Sequence, residues 1–244
     1  MKICLAQTRS IKGDILSNID RHLKFINLAI DRGADLIIFP ELSITGYEPE
    51  LAQDLATTQD DRRFDIFQAI ADQQQITIGI GVPTKQDQGI CIGMVIFQPH
   101  QARQTYTKQY LHADETPFFV NGESNVELII NNTKIALAIC YEISIPDHAA
   151  SAFQKGAKIY IASVAKTAVG VKKATQSLSD IAHKYSMIVL MANCIGDCDN
   201  FHSAGTTSVW NDQGLLLGQL NDSYEGILII DTHAQEIVAN ANLS

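Results

Sequence analysis

R-G-A-D-L-I-I-F-P-E at residues 32–41 reads as a helix end, a turn and a buried strand. Gly33 suits the left-handed position just past a helix. The run D-L-I-I-F-P (35–40) then carries apolar residues on both faces, as strands do in sheets covered from both sides. Working back, Leu16, Ile19, Leu23, Ile26 and Ile30 step by three and four, which predicts an amphipathic helix over 14–32. Working forward, the construction recurs, with K-G-A-K (155–158) leading into a strand at 158–163. Two halves follow from this echo. The first reads strand 2–7, helix 14–32, strand 35–39, helix 61–73 and strands 76–82, 91–98 and 102–107. The second reads strand 134–139, helix 146–155, strand 158–163, helix 172–186 and strands 187–192, 205–210, 214–220 and 225–231. Two α/β halves, each with a sheet needing cover, suggest two sheets packed face to face with helices outside.

No linker or low-complexity stretch divides the 244 residues, which are expected to form one domain over 1–244. With 46% hydrophobic and 18% charged residues, the composition is that of a globular protein. A net charge of −9 without a basic stripe argues against nucleic acid and anionic membrane as partners. No apolar run approaches the ~18 residues of a membrane span, and M-K-I-C-L-A-Q-T reads as a first strand rather than a signal peptide. The odd count of five cysteines in a long chain speaks against a disulfide framework and fits a reducing cytoplasm.

Three polar residues stand at strand ends. Cys140 follows K-I-A-L-A-I (134–139) and precedes Y-E-I-S-I-P-D, where Ser144 and Asp147 have capping-box spacing and Pro146 falls in the first helical turn. A thiol held rigidly beside a helix N-terminus is expected to favour thiolate; a buried structural cysteine is the other reading. Glu41 ends a buried strand, where desolvation raises a carboxylate pKa and makes it a better base near neutral pH. The alternative is a solvated strand-end glutamate. Lys108 closes A-R-Q-T-Y-T (102–107) and by itself reads as a solvent-facing charge.

Together these segments carry a resemblance. F-P-E-L-S-I-T-G-Y (39–47), Y-T-K-Q-Y-L (106–111) and A-I-C-Y-E-I-S-I-P (138–146) resemble the three signature segments of the nitrilase, or carbon–nitrogen hydrolase, superfamily. D-E-T-P-F-F (114–119), M-A-N-C-I-G (191–196) and S-A-G-T-T-S-V-W-N-D-Q-G (203–214) extend it along nearly the whole chain. The resemblance implies a four-layer αββα sandwich and a cofactor-free hydrolase of small linear amides or carbamoyl compounds. It implies a triad of Glu41, Lys108 and Cys140, with Glu115 as a second glutamate orienting Lys108 and substrate. Homodimers or higher homo-oligomers are common in the family and expected here. Cys140 would attack the carbonyl, Glu41 would carry the proton, and Lys108 with the Tyr141 backbone N–H would hold the oxyanion. Tyr47 either lines the pocket or packs with its hydroxyl bonded. Phe118 and Phe119 either wall the site or fill core.

Glu142 stands where many family amidases have Asp, and it is placed among the substrate-binding candidates with Tyr47, Tyr141 and Phe119. An arginine that carboxylate-binding members carry just beyond the cysteine is replaced by Ser144 and Ile145; Lys166 either substitutes for it or is a surface lysine. True nitrilases also have Cys-aromatic-Glu but are usually longer chains, so amidase ranks above nitrilase, acyl transfer to an amine, or a degenerate binding protein. Cys194-x3-Cys198-x3-His202 lacks the second ligand pair of a zinc site, so no metal is assigned. His148 is expected to face away from Cys140. Gly79-Ile80-Gly81 lacks both the third glycine and the strand–turn–helix context of a dinucleotide fingerprint.

Overall fold

The computed structural model of the chain describes residues 1–123 and 126–243. In chain order the first elements are β1 (Lys2–Gln7), α1 (Ile15–Asp31), β2 (Leu36–Ile38), α2 (Ala52–Leu55), α3 (Asp65–Gln74), β3 (Thr77–Gln86), β4 (Gly89–Phe97) and β5 (Gln104–Thr107). Then come β6 (Leu128–Ile130), β7 (Thr133–Ile139), α4 (Pro146–Gln154), β8 (Ile159–Val164), α5 (Ala168–Tyr185), β9 (Ile188–Asn193), β10 (Ile195–Cys198) and β11 (Phe201–Ala204). The chain closes with β12 (Ser208–Trp210), β13 (Leu216–Gln219), β14 (Glu225–Asp231) and β15 (Glu236–Leu243).

One sheet has the order β15-β14-β1-β2-β3-β4-β5 and the other β13-β12-β9-β8-β7-β6. Both are mixed. β1–β2–β3 and β7–β8–β9 run parallel at the centres, and antiparallel strands flank them. Three apolar clusters define the layers. Ile3, Leu5 and Ile38 of the first sheet meet Leu137, Ile139, Ile161 and Leu190 of the second between the sheets. Cys4, Ile37 and Ile78 face the other way, onto Ile19, Ile26 and Phe67 of α1 and α3. Ala138, Tyr160 and Val189 face Ala149 and Leu178 of α4 and α5. Alternation along each central strand thus feeds two cores at once, which gives the αββα sandwich and explains the doubly apolar strands. Among the described residues no helix is long and apolar enough to cross a membrane.

Several expectations need correction. Leu16 is 65% exposed. The buried face of α1 is Ile15, Asn18, Ile19, His22, Phe25, Ile26 and Ala29, so the stripe is rotated toward two polar residues that hold a neighbouring turn. Ser144 does not cap α4: the helix begins at Pro146 after Ile145, without a side-chain cap, and Cys140–Ser144 forms a separate 3-10 turn. The helix expected over 61–73 is a 3-10 turn at Arg62–Phe64 followed by α3. α5 starts four residues earlier than expected, because the Thr167 hydroxyl accepts from Gly170 N at 3.1 Å and caps it. β6, β10, β11 and β15 were not foreseen. β14 belongs to the first sheet, antiparallel to β1, and not to the second half.

Candidate active site

The turn carrying Glu41 follows β2 and is fixed from three sides. Phe39 N donates to Gly79 O (3.0 Å) and Ile44 N to Gly81 O (3.0 Å) on β3. A Cβ at Gly81 would stand 2.4 Å from both Leu42 N and Pro40 O, so only glycine lets the turn lie this close. From α1, Asn18 Nδ2 donates to Ile44 O (2.9 Å) and His22 Nε2 lies 2.9 Å from Ser43 Oγ. From the other sheet, Ser163 Oγ on β8 donates to Phe39 O (2.8 Å). Leu42, next to Glu41, has φ +52°, a left-handed conformation that costs energy for a leucine.

Lys108 follows β5, with its N–H donating to Ile92 O (2.9 Å) and its carbonyl accepting from Gly122 N (2.7 Å). The sequence reading of a solvent-facing charge fails: Lys108 is 0% exposed. Its Nζ donates to Glu41 Oε1 (2.8 Å) and to Glu115 Oε1 (2.6 Å). Glu115 is fixed in turn by His112 N (2.8 Å to Oε2) and the Tyr47 hydroxyl (3.0 Å to Oε1). Burial favours the neutral amine of Lys108, but the Glu41 and Glu115 carboxylates outweigh it and hold the ammonium above its usual range. Burial raises the Glu41 carboxyl above its usual value, opposed by Lys108 and reinforced by Glu115. Its second oxygen, Oε2, is buried without a hydrogen-bond partner among the described residues.

Cys140 opens the 3-10 turn after β7 with φ +45°, a strained conformation for a cysteine. Its Sγ lies 3.9 Å from Ala165 O. The loop that bears Ala165 is anchored through Asn193, whose Oδ1 accepts from Lys166 N (2.9 Å) and whose Nδ2 donates to Gly205 O (2.7 Å). Burial pushes the Cys140 thiol up to about 11; the Glu41 charge adds to this, and Lys166 and Lys108 oppose it. The expectation of a resting thiolate is therefore overturned. α4 begins six residues further on, and burial beside a carboxylate outweighs the two ammonium groups.

Cys140 opens onto a cavity of about 250 Å³ lined by Tyr47, Glu115, Tyr141, Lys166, Thr167 and Phe201, among others. The structure thus brings Cys140 and Glu115 to one cavity, with Lys108 and Glu41 in the buried ion cluster that Glu115 joins. Tyr47 does both things foreseen for it, lining the cavity and bonding Glu115 through its hydroxyl, and burial beside Glu41 and Glu115 holds its phenol protonated.

Residues 2–241 match the model of a family described as carbon-nitrogen hydrolase. The chain belongs to the carbon-nitrogen hydrolase family. It is 26% identical over 250 residues to a glutamine-dependent NAD(+) synthetase of Thermotoga maritima, covering 97% of this chain and 42% of that one. It is 24% identical to the hydrolase in the agr operon of Staphylococcus aureus, covering 97% of this chain and 93% of that one. The chain therefore spans about two fifths of the NAD(+) synthetase. Among solved structures, an amidase from Nesterenkonia sp. AN1 in complex with butyramide superposes with a TM-score of 0.87 at 23% identity, covering 96% of this chain and 92% of that one. A second structure of that amidase, with a TM-score of 0.86 at 23% identity over 95% and 92% of the two chains, carries acrylamide added at its active-site cysteine.

In this member of the family two substrate-binding expectations are corrected. Glu142 is fully buried and does not line the cavity; its carboxylate accepts from three donors of the surrounding fold. Phe119 packs into the core between the sheets and borders a different surface groove, with Phe118 exposed beside it. Lys166 is at the cavity rather than on an open surface. His112, Asp114, Thr167 and Phe201 line it too and were not singled out; only the polar density of L-H-A-D-E-T hinted at the first two. Cys194 and Cys198 lie with their sulfurs 3.7 Å apart in a small buried cluster, whereas His202 faces Asp197 (2.9 Å) on the exposed side of the β10–β11 hairpin.

Proposed function

We propose that this carbon-nitrogen hydrolase cleaves the C–N bond of small linear amides, or of carbamoyl compounds, through a thioester on Cys140. The reading rests on one observation: the Cys140 cavity is lined by Glu115, a member of the buried Glu41–Lys108–Glu115 cluster. Burial, with the Glu41 charge, holds the Cys140 thiol protonated at neutral pH. Attack therefore needs a base at the moment of reaction, and Glu41, with a free buried oxygen, supplies it. The thiol proton passes to Glu41 as Sγ bonds to the carbonyl carbon. The oxyanion is held by Lys108 Nζ and the Tyr141 backbone N–H. Collapse breaks the C–N bond, and Glu41 returns its proton to the leaving nitrogen. Water then gives a proton to Glu41 as the water oxygen bonds to the thioester carbon; collapse breaks the C–S bond, Glu41 returns the proton to Sγ, and the acid leaves with thiol and carboxylate restored.

The test is intact-protein mass spectrometry after exposure to acetamide, butyramide, glutamine, urea, a nitrile and fluoroacetamide, with product analysis for each. Glutamine and butyramide are included because named relatives carry them. Turnover of an amide, with adducts confined to Cys140 and lost in Cys140→Ala, is the expected outcome. Ligand-induced thermal stabilisation with neither turnover nor adduct would instead mark a binding protein.

A further inference from the structure

The corrected residue, Glu142, has a role that its exclusion from the cavity makes visible. Its Oε1 accepts from Gln109 N at 2.6 Å, and its Oε2 accepts from Ile139 N at 2.7 Å and from the Tyr106 hydroxyl at 2.7 Å. Gln109 immediately follows Lys108, and Ile139 immediately precedes Cys140. Lys108 leaves the first sheet from its edge strand β5, whereas Cys140 leaves the second sheet from β7. Among the described residues no strand pairing joins these two segments, so side chains that reach across help to set their relative position.

We infer that Glu142 is a positioning residue whose carboxylate clips the backbone after Lys108 to the backbone before Cys140. The clip rests on the catalytic assignment above. It acts through the main chain and touches no substrate. Two features make a carboxylate the group required. All three neighbours present donors, and the carboxylate in its ionised form, which burial shifts to pH values above about 7, is acceptor-only with room for them all. The Tyr106 hydroxyl is itself oriented from behind by His148 Nε2 (2.9 Å), and His148 Nδ1 lies 2.7 Å from the Tyr160 hydroxyl on β8. Glu142 also holds Cys140 from the side of its strained φ, because Ile139 N is the last backbone donor before the turn. An amide in place of the carboxylate keeps the shape but faces one N–H with another, so one of the two backbone bonds is lost whichever way it is turned.

The experiment uses the full chain and iodoacetamide, with each of the five cysteines followed by peptide mapping. In the wild type, Cys140 is expected to react and the buried Cys4, Cys91, Cys194 and Cys198 to stay unlabelled. Glu142→Gln is expected to slow Cys140 labelling about tenfold or more, with the other four still protected, because the thiol loses its register with the base. Glu142→Asp keeps the charge but is one methylene short, and should fall between the two. Tyr160→Phe removes a hydrogen bond from the same buried cluster without touching either backbone amide, and should label Cys140 within about twofold of wild type. Once an amide substrate is in hand, Glu142→Gln should lower kcat with little change in KM. Equal Cys140 rates in wild type and Glu142→Gln would overturn the clip. So would labelling of the other cysteines in both Glu142 variants, or a Tyr160→Phe defect as large as that of Glu142→Gln. A wild-type Cys140 no more reactive than the other four would instead overturn the catalytic reading beneath it.

Discussion

At the scale of single residues, the cluster is an exercise in burying charge. Glu41 and Glu115 share one ammonium, so burial leaves excess negative charge beside the Cys140 thiol. Burial first, and the Glu41 charge after it, keep the sulfur protonated against Lys166 and Lys108, and burial reinforced by Glu115 keeps Glu41 basic, as the proposed proton transfers require. Glu41→Gln separates the two effects. Acylation by an amide is expected to fall by roughly 10²–10⁴, measured as single-turnover release of ammonia. The sign for the thiol is opposite. The Glu41 charge raises the Cys140 pKa, so its removal should move the pH midpoint of Cys140 alkylation below about 11, read from iodoacetamide rates between pH 7 and 12. An upward move would contradict a Glu41 charge acting on the thiol. Lys108 shows what a single residue cannot reveal in sequence. A lysine at a strand end is usually solvated, and only the two carboxylates reaching it from residues 41 and 115 make its burial affordable.

At the scale of elements, strand ends place the chemistry and close backbone approaches hold it there. Gly81 is the tightest such approach. Gly81→Ala is expected to push the Glu41 turn off β3, lowering stability by about 3 kcal/mol and the melting temperature by roughly 6–12 °C. Cys140 labelling should fall as well; a variant with wild-type melting and labelling would show that the turn can yield. The elements legible in the sequence were those with one strong signal. The doubly apolar runs gave β2, β7 and β8, and glycine stops gave the ends of α1 and α4. What stayed hidden depended on partners distant in the chain. The stripe of α1 was read from Leu16, yet the helix turns Asn18 and His22 inward to hold the Glu41 turn, and no periodicity of apolar residues encodes that. Glu41 and Cys140 could be picked out because each ends an apolar run, whereas Lys108 closes the polar A-R-Q-T-Y-T and was legible only through the resemblance of its segment to the family's. Whether Glu142 or Phe119 faced the cavity turned on how a 3-10 turn and a loop were oriented, which local pattern does not fix. β10 and β11, with I-G-D-C and F-H-S-A, carry too little apolar alternation to be read as strands.

At the scale of the whole molecule, polar groups in the core tie stability to pH. His22 lies against Phe39 and Phe67, its side chain bonded to Asn18 O and Ser43 Oγ, and burial lowers its pKa to about 3. The folded state thus holds His22 neutral, whereas the unfolded chain takes a proton below about 6.5. Stability from this group is full above that pH and is lost as acid titrates the unfolded state, by about 2 kcal/mol between pH 7 and pH 5. Glu142, raised to about 7, works in the opposite direction over part of that range. A comparison of melting temperatures of the wild type and His22→Gln at pH 7 and pH 5 isolates the histidine: the variant should lose less on acidification, and parallel curves would refute the assignment. The return of β14 to the first sheet has a different consequence. β1 pairs with β2 on one side and, on the other, with residues 225–231, more than two hundred positions later in the chain. Translation runs from the amino end, so one flank of the first strand stands open on the ribosome while more than two hundred further residues are being made. Its neighbours in the meantime are unpaired amides and carbonyls, the edge that chaperones shield and that aggregation exploits.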